Sequence, residues 1–321
     1  MWLLNRLFAH HEQPAPRFAF QGTVNWMRAI SILAGEQFEH DSLRRFYAGV
    51  SRRQSSESAD TRAFEFLTMS MHNVCAVQKM AAIEAPYPIV RAAIISWYYA
   101  IYYSAKAMLA ASSGSDPQTH ALTAKVWQLE IVNNNLAESP FDLSLSDLRP
   151  VSVASLLKGI RGDNKFDLNS QPIDRSTAFG AACSYLKGTA DYEQWRLEEQ
   201  VKSGREYKQG GYRSFQSKAA KSLRDAKLQP AHVNFLVQAF RYRGKANYRD
   251  AIYLSYGRDE SQRLGQFISD LSHVSACFSL MSAHFVARRV ARDDWPRFVA
   301  DIERYAKFAL PFDLSGIGHA R

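Results

Sequence analysis

The residues best equipped for chemistry crowd into one short stretch. RYRGKANYRD, residues 241–250, holds Arg241, Arg243, Lys245 and Arg249, with Tyr242 and Tyr248 between them and a single acid, Asp250. Guanidinium groups grip phosphate through a planar fork of donors and stabilise charge that builds on it during transfer. Arg243 is followed after four residues by Tyr248. Arg241, Lys245 and Arg249 are placed to hold flanking phosphates, and Arg213, Lys218 and Lys221 extend the same basic track.

The distribution of charge agrees. The chain is 321 residues long with a formal net charge of +9. Between Gly204 and Arg258 stand twelve Lys/Arg and three Asp/Glu, so the remaining 28 cations and 28 anions cancel and the whole excess sits in one segment. Such a block attracts a polyanion by counterion release, with affinity that falls steeply as salt rises. A solvated basic face, or one that meets an acidic protein surface, is the alternative reading.

Other groupings carry less. His273, Cys277 and His284 share a helical face, but the eleven residues from His273 to His284 span about 16.5 Å at 1.5 Å per residue, too far for one metal ion. His10, His11 and Glu12 could bind a transition metal or remain solvated, and Arg6 to His11 is the one literal Arg-x4-His in the chain. Trp97, Tyr98, Tyr99, Tyr102 and Tyr103 cover more than one helical face, so their hydroxyls need partners in a core, at an interface or on bases. The signatures GxxxxGK[ST], GxGxxG, HExxH and GxSxG are absent, and no cofactor or metal is expected. Cys75, Cys183 and Cys277 lie too far apart for a disulfide framework or zinc knuckle, which fits a reducing, cytoplasmic setting.

These residues must be positioned by helices. At 46% hydrophobic the chain can bury a substantial core. Sustained period-two alternation is missing, and an all-α fold is expected. PAPRF, residues 14–18, and the polar RRQSSESAD, residues 52–60, set off residues 1–60 as an N-terminal helical appendage, opening on a short amphipathic helix in MWLLNRLFAHH. Helices are predicted from Thr61 to the APYP stop and from about Ile89 to Ala111. A third begins near Gln118, with Asp116 as cap and Pro117 in its first turn. Residues 134–231, rich in turn formers, read as an insertion or subdomain. Phe267, Leu271, Val274, Phe278, Met281 and Phe285 form the stripe of a long packed helix within 232–290, and 291–321 is a C-terminal helical extension. The apolar run AAIISWYYAIYYSAKAMLA is broken by Ser96, Ser104 and Lys106 and reads as a buried core helix, so no membrane association is expected.

The pairing of RAAIISWYYAIYYSAKAMLAASSGSDPQTH with FRYRGKANYRDAIYLSYG and the long helix after it resembles the HEPN superfamily, helical bundles of prokaryotic toxins and defence proteins. The likeness covers residues 62–132 and 232–290. In that family a Tyr/Ala/Lys-rich helix ends at a glycine loop leading into Thr-His, as here through Lys106, Gly114, Thr119 and His120. The resemblance implies an HEPN-like bundle and a metal-independent endoribonuclease, usually a homodimer. RNA would be its ligand, and an antitoxin or defence-system protein its partner. Its Arg-x(4–6)-His motif would fall at Arg243, where the histidine is replaced by Tyr248, so the resemblance implies Arg243 on a scissile phosphate with Tyr248 orienting it. Imidazole exchanges protons near neutral pH, at a pKa of about 6.5, whereas phenol, near about 10, does so poorly. A binding-only relic and a helical scaffold for a protein partner therefore stand beside the ribonuclease, with Arg243 capping carbonyls and Tyr248 packing in the structural version. His120, just inside its helix, either faces the family's cleft or packs at the helix start.

Overall fold

A computed structural model describes residues 16–54, 56–248 and 261–317, the side chains of 16–21, 36, 245–248 and 261–262 excepted. Among the described residues the chain is all-α: twelve α-helices form and no strand, the one β-type contact being an isolated antiparallel pairing of Leu145 with Val233. α1 (Pro16–Ala34) and α2 (His40–Phe46) precede α3 (Glu57–Ala81), α4 (Val90–Ser113) and α5 (His120–Glu130). α6 (Pro150–Arg161), α7 (Arg175–Ser203), α8 (Arg205–Gln209) and α9 (Lys218–Leu228) fill the middle of the chain. α10 (Phe235–Tyr248), α11 (Ser261–Arg289) and α12 (Asp294–Tyr305) follow.

The termini of these helices have local causes. α3 carries Glu57 and Asp60 in its first turn and Lys79 in its last, each on the favourable side of the helix dipole. α4 begins after Pro86 and Pro88 and closes on Gly114, whose φ of 81° disfavours any residue with a β-carbon. Asp174 and Thr177 cap α7 reciprocally, each side chain accepting the other's backbone N–H.

α4 sits at the centre, packed against α3, α11 and α10, while α1 bridges α7 and α11. The expected stripe on α11 is real: Phe267, Leu271, Val274, Phe278, Met281 and Phe285 are all fully buried. A small polar knot joins three of the helices, where the Ser70 hydroxyl of α3 meets the Ser104 hydroxyl of α4 at 2.6 Å and donates to Ser279 of α11 at 3.3 Å. Such a buried bond fixes helix register, because sliding any one helix would strand a hydroxyl.

Three expectations need correction. Residues 16–47 do not form an appendage: Pro16 opens α1, and Trp26 lies fully buried with the rings of Trp97, Tyr185, Phe235 and Tyr242 within 6.1 Å. Residues 134–231, for all their turn formers, contain one of the two longest helices among the described residues, the 29-residue α7. Its inner half, through Ala178, Ala181, Ala182 and Tyr185, joins the main core, while Leu186, Ala190 and Leu197 join Leu145, Val153 and Leu228 in a second, smaller one. Gly180 permits the close approach, since a β-carbon there would lie 2.5 Å from the Phe166 carbonyl oxygen. Nor does Asp116 cap the third helix. Thr119 does so, its hydroxyl accepting from the Leu122 N–H at 3.2 Å, and α5 starts at His120. The Asp116 carboxylate is taken by Lys106 Nζ at 2.6 Å, because an ammonium left only 7% exposed requires a counter-charge.

Replacing Trp26 with Ala is expected to cost about 3–5 kcal/mol in urea unfolding, the loss typical of a large core aromatic. A loss below about 1 kcal/mol would place α1 outside the core.

Stability should also depend on pH. His284, 4% exposed, lies with Nε2 3.1 Å from His40 Nδ1, and burial followed by the charges of His40 and Arg44 pushes it down to about 3. Burial likewise depresses His120, His232 and His273. Below its ordinary value of about 6.5 the unfolded chain binds protons that native His284 refuses, so stability falls as pH drops from there toward 3. The His284 share amounts to roughly 2 kcal/mol between about pH 6.5 and pH 5. Thermal melts at pH 7 and pH 5 should show the decline, and His284→Asn should shrink it.

Candidate functional site

The site is built where α10 crosses α4 and the start of α5. α10 commits Phe235, Leu236, Ala239 and Tyr242 to the core. At 3.6 residues per turn, Arg241 and Arg243 then leave opposite flanks, roughly 200° apart. Arg243 points toward α4. Its Nη2 donates to the Tyr99 hydroxyl at 3.1 Å, and its guanidinium carbon lies 5.4 Å from the Tyr98 ring centroid and 5.6 Å from that of Tyr99. Among the described residues its buried Nε has no hydrogen-bond partner.

The imidazole that the Arg243–Tyr248 spacing lacks is supplied from a different helix. His120, the first residue of α5, brings Nδ1 to 2.7 Å from the Tyr98 hydroxyl. Its ring stacks on Phe240 at 5.1 Å and meets the Tyr102 ring edge-on at 4.5 Å. Among the described residues only Nδ1 of the ring is hydrogen-bonded. The loop that delivers it is tied down by the Lys106–Asp116 pair and by Ser113 and Ser115, which both donate to Glu130 at 2.9 Å.

Electrostatics tune the members differently. Burial, reinforced by the charges of Arg243 and Lys106, lowers His120 below its ordinary value, so the ring is neutral at pH 7. Burial raises the Tyr98 phenol against the opposing pull of Arg243, so it keeps its proton. Desolvation draws Asp116 upward, but the hydrogen bond and charge of Lys106 outweigh it and hold the carboxyl below the usual range. A neutral imidazole bonded through Nδ1 is a general base at Nε2 whenever Nδ1 carries the proton, and an arginine beside it can hold an anion.

The predicted site residues fall into separate groups. Tyr248 ends α10, and its side chain, like that of Lys245, lies outside the described residues, as does all of Arg249. The same holds for Arg6, His10, His11 and Glu12. Arg241 faces α7, where Nη1 donates to the Gly188 carbonyl at 2.9 Å and the guanidinium carbon lies 4.2 Å from the centre of the Tyr192 ring. Arg213, Lys218 and Lys221 are exposed near the far end of α7, in the segment that puts Phe215 5.8 Å from Lys202. Lys202 is fourteen positions beyond Gly188, about 21 Å along the helix, so these three do not converge with Arg243. Among the described residues Arg205 to Arg243 form one ion pair, Arg224 with Asp225 at 2.8 Å. Sequence reasoning did not assign Tyr98 and Tyr99 to the site; the Thr119-His120 step after the glycine loop was the available signal.

His273 and Cys277 do meet, Nε2 to Sγ at 3.4 Å, while His273 Nδ1 bonds Ser31. Burial pushes the Cys277 thiol up to about 12, which leaves it protonated and unreactive. Among the described residues no three His, Cys, Asp or Glu side chains are grouped to hold a metal, and no helix is long and apolar enough to cross a membrane. No family model, curated protein or solved structure matches this chain.

Because the Arg243 charge helps depress His120, Arg243→Met should raise the imidazole pKa toward its ordinary value. A pH titration of the His120 ring signals by NMR checks this; a downward or absent shift would separate the two groups.

Proposed function

We propose that this chain is an HEPN-like, cytoplasmic RNA-binding protein whose His120–Arg243 cluster cleaves RNA without a metal. One observation carries the reading: a neutral imidazole and a guanidinium that meets no carboxylate among the described residues, 123 positions apart, meet at the same tyrosine pair, Tyr98 and Tyr99. His120 Nε2 would take the proton of a ribose 2′-hydroxyl, and the freed oxygen would attack the adjacent phosphorus. The P–O5′ bond breaks, the leaving oxygen takes a proton from water, and Arg243 stabilises the charge gathering on the phosphoryl oxygens. Tyr248, by its place in the motif, orients the phosphate. Arg241, Lys245 and Arg249, with Arg213, Lys218 and Lys221 further along, hold the flanking strand. The same reading makes the protein a homodimer within a toxin–antitoxin or antiviral defence module, partnered by an antitoxin or defence-system protein.

Labelled RNA incubated with the purified protein in the presence of a chelator should be cut. His120→Asn and Arg243→Ala should each reduce cleavage by about two orders of magnitude or more. The rate should rise with pH through a value below about 6.5 and level off, as a depressed base requires. Binding should weaken linearly on a log–log salt plot, with a shallower slope for Arg243→Ala. Salt-sensitive binding with intact RNA would reduce the protein to a binder. No binding at low salt would favour the second reading, a non-catalytic helical scaffold whose cations meet an acidic protein.

A further inference from the structure

The face of α7 beside Arg241 exposes two aromatic rings. Trp195 is 56% exposed and Tyr192 39%, with ring centroids 5.8 Å apart and planes 37° from parallel. The Arg241 guanidinium lies over the Tyr192 ring at 4.2 Å, steadied by the Gly188 carbonyl. Three flat groups thus stand in a row, Trp195, Tyr192 and Arg241. The acids nearby have their own cations: Asp191 pairs with Lys187, Glu193 with Arg196 and Glu199 with Lys202, while Glu198 adds its field to Lys202. Arg241 meets no carboxylate among the described residues, so the row keeps a net positive end.

The row is also continuous with the candidate site. Phe240, 39% exposed, lies on the outward ridge of α10 between the flanks of Arg241 and Arg243, and its other neighbour is the stacked ring of His120. Aromatic planes arranged with a guanidinium that meets no carboxylate among the described residues suit bases whose faces are free, which a duplex does not offer. We propose that Trp195, Tyr192 and Arg241 form a stacking platform for unpaired bases of single-stranded RNA, from which the strand runs over Phe240 to His120 and Arg243. This deepens the RNA reading above and rests on it: the substrate class becomes single-stranded.

Fluorescence anisotropy with a short oligouridylate, the matching oligothymidylate and an RNA duplex, at low salt, tests it. Oligouridylate should bind and quench Trp195 emission. Trp195→Ala should weaken binding about tenfold, and Trp195→Phe, which keeps a ring, should weaken it less. Both variants should melt like the parent, since the side chain is more than half exposed. Oligothymidylate following the same pattern supports the platform, because stacking needs a base and not a particular sugar. Parent-like oligouridylate binding by Trp195→Ala, or duplex bound as tightly as single strand, overturns the platform and leaves the RNA reading standing. If the parent binds no oligonucleotide, both fall together.

Discussion

Everything that could act in this protein depends on how α4 is buried. Its sequence gives it too many large rings for one face: Trp97 and Tyr98 are inside, while Tyr99, Tyr102 and Tyr103 are only partly covered. α3 and α11 cover one side, and α10 lies across another. The remaining side cannot be closed by apolar packing, because its phenol oxygens need polar partners. Those partners are the imidazole of His120 and the guanidinium of Arg243. The candidate site is thus the place where the hydrogen-bonding demands of a core helix reach the surface.

The same logic explains why these cations are held there without acids among the described residues. A guanidinium over an aromatic face loses part of its hydration and gains the attraction of the ring quadrupole, so it can be held without a carboxylate. Arg243 over Tyr98 and Tyr99, and Arg241 over Tyr192, are both held this way. Among the described residues neither meets a carboxylate. Lys106 shows the contrast: deeper and compact, it sits 4.3 Å from the Phe66 ring centroid yet still takes Asp116 as a counter-ion. That pair restrains the loop before His120 and so acts on the site through position.

Legibility followed the period of the apolar pattern. α11 was readable because Phe267, Leu271, Val274, Phe278, Met281 and Phe285 recur three and four apart. α3 and α4 were bracketed by an acidic first turn, prolines and Gly114. α7 was not readable, since its inner face is alanine and glycine, small residues that pack by close approach and leave no stripe of large side chains. Trp26 and Tyr185 stack at 4.2 Å from stretches 159 positions apart, and no local pattern encodes such a meeting.

What the sequence determined by itself was the helical class, the uneven charge, the chemistry available at residues 241–250 and the absence of an imidazole in register with Arg243. These are properties of composition and short-range spacing, which need no knowledge of neighbours across the fold. Tertiary structure decided which imidazole and which arginine share an environment, that Asp116 serves Lys106 instead of a helix end, and that Arg213, Lys218 and Lys221 stand apart from Arg243. Those outcomes follow from burial, because only the packed core dictates which polar groups lose water and must find one another.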